Sequence, residues 1–482
     1  MKPTPGPRHG ASAFHRGLEA PHSRYFASGK FGRLFPNLPP LSLPMVSEAE
    51  LRQRLLDLGN PDGPMDPSTG EDKPNPKIPA GFVFFGQFVD HDITLDTTSS
   101  LERQNDPEGI ANFRTPLLEL DSVYGSGPDV TPHFYASDRI RLLAEQRHGR
   151  DQLPRTDNDT AIIGDPRNDE NLVISRLQLL FIQFHNKVVD ALEAAGVKPP
   201  RLFEEAQRVV RWHYQWVVLH EFLPLTVGKK TLDAVYLEGD CCHTGRCFFD
   251  WRNEPFIPVE FAVAAYRFGH SQVPAKLKVN DDFKIGSSFE IPIFDPDEVG
   301  DADPDDLSGF GKEAPRRYID WKYLFATGSN DEQPSRRIDP FLAKPLFELP
   351  FISDPGPLDP ASLAARNLLR GHAFGLPSGQ AIARAMCVDP LSPDELKEVA
   401  DLGFDRSTPL FYYLLREAQV EGKGRRLGPV GGRIVAEVLV GLLEGDRKSF
   451  VRTYPKWTPE EEGLGTTSSF GMADLAAFAE GS

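Results

Sequence analysis

The chain has 482 residues, of which 40% are hydrophobic, so it is long and apolar enough to bury a sizeable core. Its formal net charge of −17 argues against a nucleic-acid partner, because binding phosphates requires clustered positive charge. The longest apolar runs, such as Phe82–Val89, are shorter than the roughly 18 residues that a membrane-spanning helix requires, so we expect no transmembrane segment.

The N-terminal region predicts an extended arm followed by a short helix. Residues 1–45 are rich in proline, glycine and basic residues, which favours an extended segment lying against a domain. A capping box from Ser47 to Glu50 then precedes an apolar run and predicts a helix start. The basic N-terminus has no apolar run after it and the chain has only four cysteines. We therefore expect no secretory signal and a cytoplasmic location, with leaderless secretion left open.

The stretch Gly81–Asp96 predicts a buried helix, because its aromatic and aliphatic residues recur at helical spacing. At about 100° per residue, Gln87, Asp90 and His91 fall within one stripe, whereas Asp92 points elsewhere. Burying an amide, a carboxylate and an imidazole on one face costs free energy unless each has a partner. A polar ligand or cofactor on that face is one interpretation. The alternative is a core histidine flanked by two solvated aspartates.

The segment that follows alternates side chains along an extended loop. Thr115, Leu117, Glu119 and Asp121 occupy every second position, so their oxygens can converge on one side. Threonine and carboxylate oxygens together with a backbone carbonyl suit a hard cation such as Ca²⁺. The loop therefore predicts a calcium site, with a plain turn as the alternative.

Further helical patterns occupy the rest of the chain. A long one runs from Leu172 to Leu192, and the acidic residues Asp169 and Glu170 before it would favour a helix N-terminus on electrostatic grounds alone. Another helix is expected from Ala262, and its His270 taken alone would more often be a core residue. After a loop-rich acidic insertion at 275–348, later helices are expected at about 393–400, 409–418 and 429–444.

Five stretches, in the same order along the chain, resemble the animal haem peroxidase and cyclooxygenase superfamily. They are Gly86–Asp92, Thr115–Ser126, Gly164–Glu170, Tyr266–His270 and Asn367–Pro377. One such match could be chance, but five in order are specific. The resemblance implies a mainly α fold, with a single large helical haem peroxidase domain and few short strands at 76–482. It leaves residues 1–75 as an N-terminal arm with a short helix.

The resemblance also assigns residues to a haem site. His270 matches the proximal ligand of the haem iron, and Asn367 matches the asparagine that accepts a hydrogen bond from that imidazole. His91 matches the distal acid–base residue and Arg167 the distal arginine. Gln87 stands where halide-oxidising members have a glutamine near the distal cavity. The other expected haem-binding residues are Asp90, Glu170, Arg267 and Arg370.

Two details of the resemblance concern the cofactors. Asp90 and Glu170 match carboxylates that form ester links to haem b, whereas Asn171 stands where some members have a methionine linked to haem, so that third link is not expected. In the family, the aspartate after the distal histidine and the following loop hold calcium. The matching residues here are Asp92, Thr115, Leu117, Glu119 and Asp121, with Glu119 and Asp121 replacing the usual aspartate and serine.

The implied function is a haem peroxidase that uses H₂O₂ to oxidise small aromatic or halide donors through a ferryl haem intermediate. The alternative is a fatty-acid dioxygenase that forms lipid hydroperoxides with Tyr266 as the radical residue. In such oxygenases a tyrosine lies three residues before the proximal histidine, whereas Tyr266 lies four residues before His270. On a regular helix that shift turns a side chain by about 100°, so we expect a core tyrosine unless the helix bulges.

A third possibility is a non-catalytic haem or adhesion module. The joint presence of His91, Arg167 and His270 argues against it, because a binding module does not need all three.

Overall fold

The computed structural model describes residues 31–69, 73–95, 112, 114–236, 245–251, 254–298, 303–311, 313–350, 352, 355–357, 359–464 and 466–481. Residues 1–30 of the predicted arm lie outside the described residues. The described chain is mainly α with few short strands, which confirms the predicted fold class. No helix within these ranges has the length and apolar character that crossing a membrane requires.

The described residues form fourteen α-helices, some joined directly and others separated by long loop-rich segments. The α-helices are α1 (Glu48–Gly59), α2 (Gly81–Ile93), α3 (Asp121–Tyr124), α4 (Leu172–Ala194), α5 (Pro199–Val217), α6 (Leu223–Val227), α7 (Lys229–Asp233), α8 (Gly269–Gln272), α9 (Leu363–Ala373), α10 (Gly379–Ala385), α11 (Leu410–Gly422), α12 (Pro429–Gly445), α13 (Phe450–Thr453) and α14 (Met472–Glu480). A π-helical turn, Val218–Phe222, joins α5 to α6. A 3₁₀ turn, Pro166–Asp169, precedes α4.

The strands form isolated pairs rather than a layer of the fold. They are β1 (Phe31–Gly32), β2 (Pro74–Pro79), β3 (Glu145–Arg147), β4 (Arg150–Gln152), β5 (Ile257–Pro258), β6 (Lys276–Leu277), β7 (Ile291–Pro292) and β8 (Pro334–Arg336). β1 pairs with β5 in parallel, whereas β2 with β8, β3 with β4 and β6 with β7 are antiparallel. β3 and β4 form a hairpin with a two-residue turn, and each of the other pairs joins two segments that are further apart in the sequence.

Helix α2 lies at the centre of the packing because apolar side chains surround most of its circumference. It packs against α4 and α8, while α4 packs against α5 and α14. On its buried side, Phe88 stacks on Phe181 of α4 with ring centroids 4.8 Å apart. Side-chain caps set the helix starts as the sequence predicted at α1, where Ser47 accepts from the N–H of Glu50, and Asn171 caps α4 in the same way.

Two expected helices differ from the prediction. The helix expected from Ala262 is a π turn (Glu260–Ala264), then a 3₁₀ turn (Ala265–Phe268), and only then α8. The Arg267 side chain donates to the carbonyl of Ala262 at 2.9 Å and so takes an acceptor near the break. At 393–400 the structure has a 3₁₀ turn, Lys397–Val399, in place of the expected α-helix, although Ser392 and Glu395 pair as in a capping box.

The described part of the arm lies along the π turn and the end of α9. The N–H groups of Leu34 and Phe35 donate to the buried Glu260 carboxylate at 2.9 and 3.1 Å. Arg33 donates to the carbonyl of Phe374 at 2.7 Å, and the N–H of Leu41 donates to that of Leu376 at 2.8 Å. The arm therefore tethers the two segments that carry His270 and Asn367.

Candidate active site

One cavity collects most of the predicted site residues. It opens between α2, the 166–171 turn and the irregular segment before α8, and its other walls are largely apolar. The predicted site residues that line it are Gln87, Asp90, His91, Arg167, Glu170, Arg267 and His270. Asn367 lies behind His270, whereas Arg370, one turn further along α9, is not among the lining residues. The predicted calcium residues lie on the far side of α2.

His91 is held at the cavity wall by a buried amide. Its Nδ1 lies 2.7 Å from Oδ1 of Asn168, and the imidazole is 5% exposed. Because an amide oxygen only accepts, Nδ1 carries the hydrogen and Nε2 keeps its lone pair. Burial, with the charge of Arg167 adding to it, lowers the pKa of His91 to about 4. The imidazole is therefore neutral near pH 7 and able to accept a proton.

Arg167 is fixed by a carboxylate and by backbone carbonyls. Its Nε and Nη2 donate to the two oxygens of Asp165 at 3.0 and 2.8 Å, and Nη2 also donates to the carbonyls of His91 and Thr94. Burial alone would raise the pKa of Asp165, but Arg167 and then Arg114 outweigh it and lower the pKa to about 2. Asp165 therefore stays ionised and holds the guanidinium in one orientation at the cavity wall.

Two carboxyl groups face the same cavity. Gln87 donates from Nε2 to the Glu170 carboxylate, and Asn171 donates to Gln87 Oε1 at 3.5 Å. Burial raises the pKa of Glu170 to about 7, and the charge of Arg167 opposes this shift. On α2, Asp90 accepts from Thr94 Oγ1 at 3.1 Å. The two residues predicted to link to haem thus share one cavity.

His270 lines the opposite wall and contacts a second amide. Nδ2 of Asn367 lies 2.7 Å from Nδ1 of His270, so the amide donates to the ring. Iron ligation through Nε2 requires the reverse direction, with Nδ1–H donating to the amide oxygen. A half-turn of the Asn367 amide gives that direction with almost no change of shape. Burial, together with the charge of Arg267, lowers the pKa of His270 to about 3.

Tyr266 is buried in the core, as expected, and it also lines the cavity. What differs from the prediction is the backbone, which has a π turn and a 3₁₀ turn in place of the regular helix that would have aimed the phenol elsewhere. Tyr266 lines the cavity, and its ring stacks on Phe261 with centroids 4.7 Å apart. Its buried hydroxyl has no hydrogen-bond partner among the described residues.

The predicted calcium residues are neighbours behind α2. Asp92 is fully buried, and its Oδ2 accepts from the N–H of Leu120 at 3.0 Å, whereas Oδ1 has no hydrogen-bond partner in the described structure. Burial raises the pKa of Asp92 to about 7, and burial followed by the charge of Asp92 raises the pKa of Asp121.

Two arginines approach the same acids. Arg114 lies 3.4 Å from Asp121, and Arg211 lies 3.6 Å from Glu119. Within the described ranges, no three His, Cys, Asp or Glu side chains already surround one point as a formed metal site would. The expected ligands are thus close together without forming a finished coordination shell.

The sequence did not single out Asp165, Asn168 or Gln178. All three are fully buried polar residues beside or beneath Arg167 and His91. The sequence does not reveal that these three residues are buried. The one available indication was Gln178, an amide within the apolar stripe of α4.

Comparisons with known proteins show the family of the chain. Residues 98–399 match the model of the animal haem peroxidase family, so the match begins C-terminal to His91. Chorion peroxidase of Drosophila melanogaster is 28% identical over 284 residues, which cover 55% of this chain and 32% of that protein. The chain spans about a third of the length of the first curated relatives it matches.

Solved structures share the fold. Peroxidase A from Dictyostelium discoideum has a TM-score of 0.67 at 16% identity, covering 97% of this chain and 96% of that one. A fatty acid alpha-dioxygenase from Oryza sativa has a TM-score of 0.62 at 18% identity, covering 94% of this chain and 81% of that one. With the family model matched over more than half of its length, the chain belongs to the animal haem peroxidase family.

Proposed function

We propose that this protein is a haem peroxidase that uses H₂O₂ to oxidise small aromatic or halide donors. The observation that carries the proposal is that His91, Arg167 and His270 line one cavity. A proton acceptor, a fixed cation and an iron ligand are the groups that cleaving a peroxide at haem requires.

The cavity residues fit a haem, which membership of the family implies. Phe82, Phe268, Ile293 and Leu346 supply apolar walls, and Arg267 supplies a cation at the cavity edge. A Cβ added at Gly269 would meet no atom within 4 Å, so open space lies directly beside the proximal histidine. A bound haem would supply a redox-active iron with one position open to peroxide.

The protein residues have separate tasks. His270 would bind the iron through Nε2, and Asn367 would accept from its Nδ1–H, which makes the imidazole a stronger donor. His91 would take a proton from H₂O₂ at Nε2 and return it to the departing oxygen. Arg167, held by Asp165, would stabilise the negative charge that develops on that oxygen.

The links to the cofactor are a finer proposal. Asp90 and Glu170 would form ester bonds to the haem, each C–O bond replacing a haem C–H bond while one H₂O₂ is reduced to two waters, and their shared position on the cavity wall supports this. After peroxide turnover, we expect part of the haem to resist extraction into acidic organic solvent. Asp90→Ala and Glu170→Ala together should make it wholly extractable. Complete extraction from the unaltered protein would refute the links.

Calcium is a further proposal, and Asp92, Thr115, Leu117, Glu119 and Asp121 would be its ligands. The unpartnered Oδ1 of Asp92 and the close acidic neighbours support it, since Ca²⁺ would compensate charges that are otherwise costly to bury. Elemental analysis should find calcium in the unaltered protein.

A matched pair of variants tests that proposal. The calcium should be absent from Asp92→Asn and retained in Asp129→Asn, which alters an exposed acid. Calcium-free active protein would refute the site.

A fatty-acid dioxygenase is the second candidate, because Tyr266 lines the cavity and its hydroxyl has no partner in the described structure. The deciding experiment compares two reactions of the haem-loaded protein, phenol oxidation with H₂O₂ and oxygen uptake with linoleate. Rapid phenol oxidation with slow oxygen uptake supports the peroxidase. A specific lipid hydroperoxide that disappears in Tyr266→Phe, with little phenol oxidation, would replace it with the dioxygenase.

A further inference from the structure

A buried row of polar groups runs from the distal histidine to the backbone of α3. His91 Nδ1 lies 2.7 Å from Asn168 Oδ1, and Asn168 Nδ2 donates to Gln178 Oε1 at 2.8 Å. Gln178 Nε2 in turn donates to the carbonyl of Ser122 at 3.3 Å. Both amide side chains are fully buried, and neither residue lines the cavity.

The carbonyl at the end of the row sets the direction of every hydrogen bond in it. A backbone carbonyl oxygen only accepts, so Gln178 must present its amide nitrogen to Ser122. The amide oxygen of Gln178 then faces Asn168, so Asn168 must donate to it from its amide nitrogen. The Asn168 oxygen is thereby turned towards His91, and the Nδ1 of His91 has to carry the hydrogen.

The opposite arrangement is disfavoured at a single point. With both amides reversed, the oxygen of Gln178 would face the oxygen of Ser122, and no hydrogen would lie between them. The N–H of Gly164 already donates to that carbonyl at 3.0 Å, so the oxygen is a committed acceptor. The buried amide oxygen of Gln178 would be left without a donor and would face another acceptor, which folded proteins avoid.

We propose that Asn168 and Gln178 are positioning residues that hold His91 in its Nδ1–H tautomer and so keep the Nε2 lone pair for the cavity. The proposal deepens the proposed function, since it explains how His91 is ready to accept a proton from peroxide. The tautomer itself is a property of the polypeptide and can be measured without turnover.

The first test is nitrogen NMR of the full-length, haem-free protein labelled with ¹⁵N-histidine, with His91→Gln identifying the His91 signals. We expect protonated Nδ1 and unprotonated Nε2 in the unaltered protein. Asn168→Leu should raise the proportion of the Nε2–H tautomer at least about tenfold, because it removes the acceptor that the described residues give to Nδ1.

Other variants separate positioning from a loss of folding. Asn168→Asp retains an acceptor and should restore the Nδ1–H tautomer. Gln178→Leu should give an intermediate shift, since Asn168 is then free to turn. Asn186→Leu is the matched control, because this asparagine lies on α4, as Gln178 does, bonds the backbone of Leu142 and is not among the residues that line the cavity. It should leave the His91 signals unchanged.

The second test uses the haem-loaded protein. Asn168→Leu should react with H₂O₂ about 10–100-fold more slowly at unchanged haem content and Soret position, and Asn168→Asp should recover most of the rate. An Nε2–H tautomer in the unaltered protein, or an unchanged tautomer in Asn168→Leu, would overturn the inference. The expected tautomers together with a peroxide rate that does not depend on His91 would support the positioning and refute the proposed function instead.

Discussion

Two histidine–asparagine pairs lie on different sides of the cavity. The distance between histidine and asparagine is the same in both pairs, but the orientation of the amide differs. His91 and Asn168 are 2.7 Å apart on the distal side, as are His270 and Asn367 on the proximal side. In the distal pair the amide is locked by Gln178, and its oxygen faces the ring. In the proximal pair the amide nitrogen faces the ring.

Both proposed roles need the hydrogen on Nδ1, but they need it for different reasons. A proton acceptor works with a free Nε2 before any ligand arrives, so the protein has to set the distal tautomer by itself. An iron ligand gains its tautomer when Nε2 bonds the metal, so a half-turn of the Asn367 amide is enough. The hydrogen-bond direction is therefore fixed by the protein on the distal side, where no metal would set the tautomer.

Loss of the proximal imidazole should have the largest effect. His270→Ala removes the proposed iron ligand, so the protein should lose its bound haem or the spectrum of a histidine-ligated haem. Haem content and the Soret band measure this directly. His372→Ala is the control, since it removes an imidazole from α9 whose Nε2 pairs with Glu48 at 2.7 Å. Unchanged haem binding in His270→Ala would remove this residue from the site.

Loss of the distal imidazole should leave the cofactor in place. His91→Ala should keep the haem and slow the reaction with H₂O₂ by roughly 10² to 10⁴-fold, the usual cost of removing a general acid–base group. Stopped-flow absorbance gives the rate constant. Rates within a few-fold of the unaltered protein would show that His91 is not the acid–base group for the reaction with H₂O₂.

The sequence predicted the elements that carry these pairs better than the contacts within them. Apolar periodicity was sufficient for α2, α4 and α12, which the structure has at Gly81–Ile93, Leu172–Ala194 and Pro429–Gly445. It could not predict the π and 3₁₀ turns before His270, because a local change of hydrogen-bond partner leaves no mark on apolar spacing. The exposure of Tyr266 to the cavity follows from those turns.

The sequence predicted the residues that line the cavity, but not the buried residues that contact them. Motifs led to His91, Arg167 and His270, which line one cavity. Asn168 and Gln178 were missed because their pairing depends on how the 166–169 turn lies over α4, a tertiary contact that residue spacing does not contain. A buried amide in an apolar helix face was the available signal.

Loss of the proximal amide should have an intermediate effect. Asn367→Leu should retain His270 but remove the acceptor for its Nδ1–H, which weakens haem affinity or slows the peroxide reaction by about 10–100-fold. Asn367→Asp keeps an acceptor of the same shape and should recover much of the loss. Haem titration and resonance Raman spectroscopy of the iron–histidine bond measure the two properties. An unchanged bond frequency in Asn367→Leu would argue against the proximal contact.

The smallest expected effect is that of pH on the peroxide reaction near neutrality. Burial, and after it the charge of Arg167, lowers the pKa of His91 to about 4, while Asp165 and Asp90 oppose the shift. A proton acceptor must be unprotonated, and at pH 6 only about 1% of an imidazole with that pKa is protonated. The rate constant should therefore change by less than about twofold between pH 6 and 8 and halve only near pH 4. A pH-jump stopped-flow experiment measures it before acid unfolds the protein. A midpoint near 6.5 that persists in Glu170→Gln, which removes the cavity carboxyl whose pKa is about 7, would mean that His91 is not enclosed as the distal pair requires. Asn168→Leu would show whether the amide causes the difference.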